Sequence, residues 1–174
     1  MNRTGRIAIA AVLTLALPAL ASAGEHRIGF GYHYWKTLDD ISATNLGQID
    51  DNGYTELVSY QYLPAGLMKW EVDLEYANKG FGGSTDKAYS PQVFLLFGRN
   101  LYAGVGVGMT KSDGFANGDS WSDPWYAARA GIELLLLPKI HLDINANYRA
   151  DAFTDLNDAK SDTITLGASV RLAF

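Results

Sequence analysis

From Thr163 to the terminal Phe174 the side chains alternate without interruption. Ile164, Leu166, Ala168, Val170, Leu172 and Phe174 form one set; Thr163, Thr165, Gly167, Ser169, Arg171 and Ala173 form the other. A period of two puts successive side chains on opposite faces of an extended chain. The segment therefore reads as a strand with one greasy face and one small or polar face.

Seven more segments carry the same period. The first covers residues 26–36, with Ile28, Phe30, Tyr32 and Tyr34 opposite Arg27, Gly29, Gly31 and His33. The second, 54–63, sets Tyr54, Val58, Tyr60 and Tyr62 against Thr55, Ser59 and Gln61. The third, 69–78, sets Trp70, Val72, Leu74 and Tyr76 against Glu71, Asp73 and Glu75. In the fourth, 89–98, both faces are partly apolar and Pro91 interrupts the start. The fifth, 101–110, alternates Leu101, Ala103, Val105, Val107 and Met109 with Tyr102, Gly104, Gly106 and Gly108. The sixth, 125–136, places Tyr126, Ala128, Ala130, Ile132 and Leu134 opposite Ala127, Arg129, Gly131 and Glu133. The seventh, 139–149, places Ile140, Leu142, Ile144, Ala146 and Tyr148 opposite His141, Asp143, Asn145, Asn147 and Arg149.

Connections after the second, fourth and sixth segments are short: Pro64-Ala65-Gly66, Gly98-Arg99-Asn100 and Leu137-Pro138. The others are longer and rich in Asp, Asn, Gly and Ser, the residues of solvated turns. Short turns on one side and long loops on the other are the pattern of an outer-membrane barrel. The expectation is an all-β fold: an eight-stranded antiparallel transmembrane β-barrel with short periplasmic turns and long extracellular loops.

The charges decide which face is outside. Glu71, Asp73, Glu75, Glu133 and Asp143 are acidic, and Arg27, Arg129, Arg149 and Arg171 basic, all on the less apolar face. Facing lipid at mid-depth, an Arg or Lys costs about 2–4 kcal/mol, and an acid somewhat less. Facing a closed lumen, the same groups can pair. The greasy face is then expected to touch lipid, with these nine residues forming an interior charge network. Aromatics sort by strand end: Tyr34, Tyr54, Tyr76, Tyr89, Trp125, Tyr126 and Tyr148 at the outer ends, and Tyr62, Trp70, Phe97 and Phe174 at the inner ends. Such girdles favour the membrane interface. Glu56 falls on the greasy face by count, so it either reaches the headgroups or marks a bulge.

Residues 1–23 read as a secretory signal: Arg3 and Arg6, an apolar run from Ile7 to Leu17, and the small-residue site Ala21-Ser22-Ala23. The domain reading is a signal peptide at 1–23 and the barrel at 24–174. Loss of the two arginines leaves 12 basic against 19 acidic residues, a net of −7, which argues against nucleic acid as partner. The chain has no Cys, so disulfides and thiol chemistry are excluded.

The signal, the eight strands, the long outer loops and the ending Val170-Arg171-Leu172-Ala173-Phe174 resemble the small eight-stranded outer-membrane proteins. That group includes the barrel domain of outer membrane protein A, the OmpX and Ail group, and the opacity-type proteins. The resemblance implies that Phe174 is the recognition signal for the barrel assembly machinery. It implies no catalytic residue, since it rests on architecture.

Other groupings carry less. Within the lumen, Glu133 and Asp143 flank the turn at Pro138 and repel unless a base such as Arg171 sits between them, with Arg27 one strand further. The stripe Glu71, Asp73, Glu75 would face Arg129 and Arg149. Ser169, His141 and Asp143 are nominally a hydrolytic set, but a packed interior leaves no room for substrate. The three His residues have no metal-ligand spacing, and no cofactor is implied. Acidic outer loops (Asp39, Asp40, Asp50, Asp51; Asp113, Asp119, Asp123; Asp151, Asp155, Asp158, Asp162) read as solvated turns, with divalent-cation bridging to lipopolysaccharide as the sharper alternative. The expected role is structural or surface-interacting, in contact with outer-membrane lipid and lipopolysaccharide and open to a host or surface ligand at the loops. A narrow channel for small solutes or ions is the alternative, and a lipid-modifying enzyme comes third.

Overall fold

The computed structural model describes residues 24–37, 52–64, 66–78, 86–113, 120–150 and 163–174. They form β1 (Glu25–Thr37), β2 (Asn52–Leu63), β3 (Met68–Ala77), β4 (Ala88–Gly98), β5 (Leu101–Gly108), β6 (Lys111–Ser112), β7 (Trp125–Leu137), β8 (Ile140–Ala150) and β9 (Thr163–Ala173). Neighbours pair in the order β3-β2-β1-β9-β8-β7-β5-β4, every pairing antiparallel, and a β3–β4 ladder closes the ring. The short β6 continues β5 along β4. The result is a closed antiparallel barrel of eight strands, and closure leaves no unpaired edge.

The alternation sorts by face. Phe30, Val105, Leu166 and Val170 lie on the outside, each half or more exposed. Buried inside are all nine charged residues of the expected network. This is the inverse of a soluble barrel, whose interior is apolar. An exposed belt of this kind on a closed barrel is stable against hydrocarbon rather than water.

The short connections gather at one end of the barrel, here the turn end; the other is the loop end. Gly98 turns the chain at φ 119°, where a Cβ would run into the Leu101 carbonyl, so only glycine fits. Lys139 takes φ 69° in the two-residue turn between β7 and β8. The outer loops, including most of the acidic residues named above, and the first 23 residues lie outside the described segments.

Four details depart from the sequence reading. The fifth strand loses regularity after Gly108: Met109 is buried, unlike Leu101, Ala103, Val105 and Val107, and Thr110 points inward. Across from this break stands Pro91, which has no N–H to give to the ladder. Trp125 belongs to the interior and not to the outer girdle, because its indole N–H finds a buried partner in Thr110 at 3.3 Å. Tyr62 is covered, its ring stacked on that of His26 at 5.0 Å. A register shift at Leu135–Leu137 leaves Leu135, Leu136 and Leu137 all exposed. Glu56, by contrast, needs no bulge: the β1–β2 and β2–β3 registers run through it unbroken, and its side chain is exposed on the outer face.

Candidate functional site: the interior ion-pair network

Inward side chains of β1, β2, β3, β7, β8 and β9 meet in the lumen. Period two brings each of them there: every network residue has an odd number and so shares the face of its strand that the greasy set leaves.

At the turn end Glu133 is the hub. Its carboxylate takes an ion pair from Arg27, another from Lys69 Nζ at 3.2 Å, and a contact from His141 Nδ1 at 3.2 Å. Arg27 also pairs with Glu25 and donates to Gln61 Oε1 at 3.2 Å. Lys69 Nζ donates to the Arg99 carbonyl at 2.7 Å and lies 4.8 Å from the Tyr102 ring centre. Beneath this layer a vestibule of about 730 Å³ opens between the turns.

The middle layer centres on Glu71. Arg171 reaches it with both terminal nitrogens, at 2.8 and 2.9 Å, in the two-pronged geometry that guanidinium and carboxylate favour. Arg129 Nη1 donates to the same carboxylate at 2.7 Å, as does Gln61 Nε2 at 2.7 Å. Arg129 also lies 2.8 Å from Asp73 and stacks on the Phe94 ring at 3.7 Å. Arg171 lies 3.3 Å from Asp143, whose other oxygen accepts the Tyr102 hydroxyl at 2.7 Å. Asn145 and Asn147 extend the chain of donors along β8.

Toward the loop end Glu75 takes His33 Nδ1 and Arg149 Nη2, the latter at 2.7 Å. Arg149 lies over the Trp125 ring at 4.4 Å. Above it, Trp35 packs with Ala77 and Ala88 as a small apolar layer.

Lys69 was missed in the sequence. With it, the buried acids and buried permanent cations among the described residues number five and five: Glu71, Asp73, Glu75, Glu133 and Asp143 against Arg27, Lys69, Arg129, Arg149 and Arg171. Parity alone could have found it, since Lys69 shares the face of Glu71. His33 has no carboxylate near it in sequence, yet meets Glu75 two strands away. Neutrality matters because an uncompensated buried charge costs several kcal/mol.

Ser169, His141 and Asp143 do not assemble as a hydrolytic relay. Asp143 is held by Arg171, Tyr102 and Asn145, His141 contacts Glu133, and the Ser169 hydroxyl is buried without a hydrogen-bond partner among the described residues. Among the described residues no group of three His or carboxylate side chains is placed to hold a metal ion. Phe174 closes the ring: its N–H donates to the His26 carbonyl at 2.9 Å, and its ring stacks on that of His26.

No protein-family model matches the chain, and no curated protein sequence does. Solved structures do match. Neisserial surface protein A aligns with a TM-score of 0.53 at 18% identity, over 88% of this chain and 98% of its own. Ail, the attachment invasion locus protein of Yersinia pestis, solved with the heparin analogue sucrose octasulfate, aligns at 0.53 and 22% identity, over 88% and 100%. Outer membrane protein H of P. aeruginosa aligns at 0.54 and 18%, over 84% and 99%. At these identities the likeness concerns the backbone architecture. With its inverted faces and closed antiparallel ring, the chain has the fold of the small eight-stranded outer-membrane β-barrels.

Proposed function

We propose that this protein is an integral barrel of the outer membrane with a plugged interior, its role structural or surface-interacting and carried by the outer loops. The observation that carries the reading is the Arg171–Glu71–Arg129 bridge, which joins β9, β3 and β7 through the centre of the lumen. An eight-stranded barrel is narrow enough for its own side chains to fill, and between the vestibule and the Trp35 layer the charged ones are tied to one another. A continuous pore would require several charge-assisted bonds to break together.

In this reading residues 1–23 are the cleaved export signal, residues 24–174 are the barrel, and Phe174 is the handle for the barrel assembly machinery. The greasy belt meets lipid and lipopolysaccharide. The loops, acidic in composition, favour a cationic or neutral surface ligand over a polyanion.

Two measurements test it. Mature protein refolded with lipid vesicles should float with them, and protein that stays in the aqueous fraction without detergent would overturn membrane integration. In planar bilayers the wild type should show no large steady conductance, and Glu133→Ala and Arg171→Ala should introduce openings. A large steady wild-type conductance left unchanged by both substitutions would overturn the plug.

A further inference from the structure

Within the belt of outward side chains on the strands, one carboxylate stands out. Glu56 lies on the outer face of β2, two residues inward of Tyr54 and flanked by its ladder neighbours Tyr32 and Tyr76. It is exposed, and among the described residues it makes no hydrogen bond or ion pair. The strand carboxylates Glu71, Asp73, Glu75, Glu133 and Asp143 are buried in the lumen. An ionisable group at lipid depth is costly unless something there compensates it.

Beside Glu56 runs a shallow groove of about 430 Å³. Its walls are Phe30, Tyr32 and Val58 on one side and Leu142 and Val170 on the other. Its floor is low because Ala168, the ladder partner of Tyr32, has a short side chain. Glu56 is the charged residue of the lining. The groove opens along the outer face, so its occupant comes from the bilayer.

We propose that Glu56 and this groove form a binding site for a bilayer lipid with a primary-amine headgroup. One acyl chain lies over Ala168 between Tyr32 and Val170, and the ammonium donates to the Glu56 carboxylate. The apolar walls set affinity for the chain, and the unpaired carboxylate selects the head: an ammonium gains a charge-assisted hydrogen bond, whereas an anionic head meets repulsion.

The proposal rests on the outer face contacting lipid, and the test separates the two. Wild type, Glu56→Gln and Ala168→Leu are reconstituted in nanodiscs of phosphatidylcholine doped with phosphatidylethanolamine or with phosphatidylglycerol. Lipid retained on release into the gas phase is read by native mass spectrometry. Wild type should retain phosphatidylethanolamine about tenfold over phosphatidylglycerol. E56Q should lose that preference, and A168L, which fills the groove and keeps the carboxylate, should lose retention of either lipid. Equal retention by wild type and E56Q, or a preference for the anionic lipid, overturns the site. Vesicle flotation of all three proteins is measured alongside. Both variants should float as the wild type does, so a failed headgroup preference in floating protein counts against the site and not against membrane integration.

Discussion

Arg171 and Glu71 are 100 residues apart in sequence and stand on strands separated by β1 and β2 in the ring, yet share two hydrogen bonds of 2.8 and 2.9 Å across the lumen. Both side chains are fully buried. Glu71 is also the acceptor for Arg129 and Gln61, so its removal takes a carboxylate from two guanidinium groups at once and leaves them with Asp73 and Asp143 alone. Breaking a buried pair from one side costs about 3–5 kcal/mol. Glu71→Ala should therefore destabilise the barrel by about that amount, read from urea unfolding in lipid vesicles followed by tryptophan fluorescence. Adding Arg171→Ala to that background should cost less than Arg171→Ala alone, because the two share one interaction. Strict additivity would show that the pair is not coupled.

Gly106 faces the lumen opposite Phe94, its ladder partner, and a Cβ built there falls directly on the Phe94 ring. That ring in turn supports the Arg129 guanidinium at 3.7 Å. Gly106→Ala should destabilise by about 1–3 kcal/mol, the range for overpacking a filled interior. Phe94→Leu in the same chain should recover part of the loss in the same unfolding assay. Gly104 meets a β4 backbone carbonyl instead, so Gly104→Ala should show no such rescue.

The strands and their faces were legible because one rule, period two, governs both. Strand ends agree with the alternation to within a residue or two, as for the third strand, read as 69–78 and found at Met68–Ala77. Partners across the lumen were less legible. Ladder neighbours follow from turn positions, as with Glu133 and Asp143, but which base reaches which acid depends on barrel stagger and side-chain length. His33 and Glu75 illustrate this, since β2 lies between their strands. Trp125 was misplaced for another reason. Its position near a strand end suits an interfacial ring, while its parity, shared with Ala127 and Arg129, points inward. Parity won because Thr110 offers the indole a partner and Arg149 a cation to stack against.

The Trp125 environment leads to its own prediction. The indole N–H donates to Thr110 Oγ1, which also bonds the Ser90 hydroxyl at 2.8 Å. Trp125→Phe keeps an aromatic face for Arg149 but leaves the Thr110 side without its donor. The expected cost is about 1 kcal/mol, the usual net worth of one hydrogen bond. Trp125→Leu, which also removes the cation–π contact, should cost more. Both losses appear in urea midpoints at unchanged slope.

The outward face supplies the sharpest contrast. Val105 lies midway along β5 and is 55% exposed, while Gly104 beside it points into the lumen. Val105→Arg should cost about 2–4 kcal/mol in vesicles, the depth-dependent cost of arginine against hydrocarbon. Leu101→Arg, near the turn end of the same strand, should cost about 1 kcal/mol or less, since the penalty fades toward the interface. A gradient of this sign along one strand distinguishes lipid from water, because in water both arginines would be tolerated on an exposed face. Equal and negligible costs at the two positions, measured by urea unfolding in vesicles, would mean that the belt does not meet hydrocarbon.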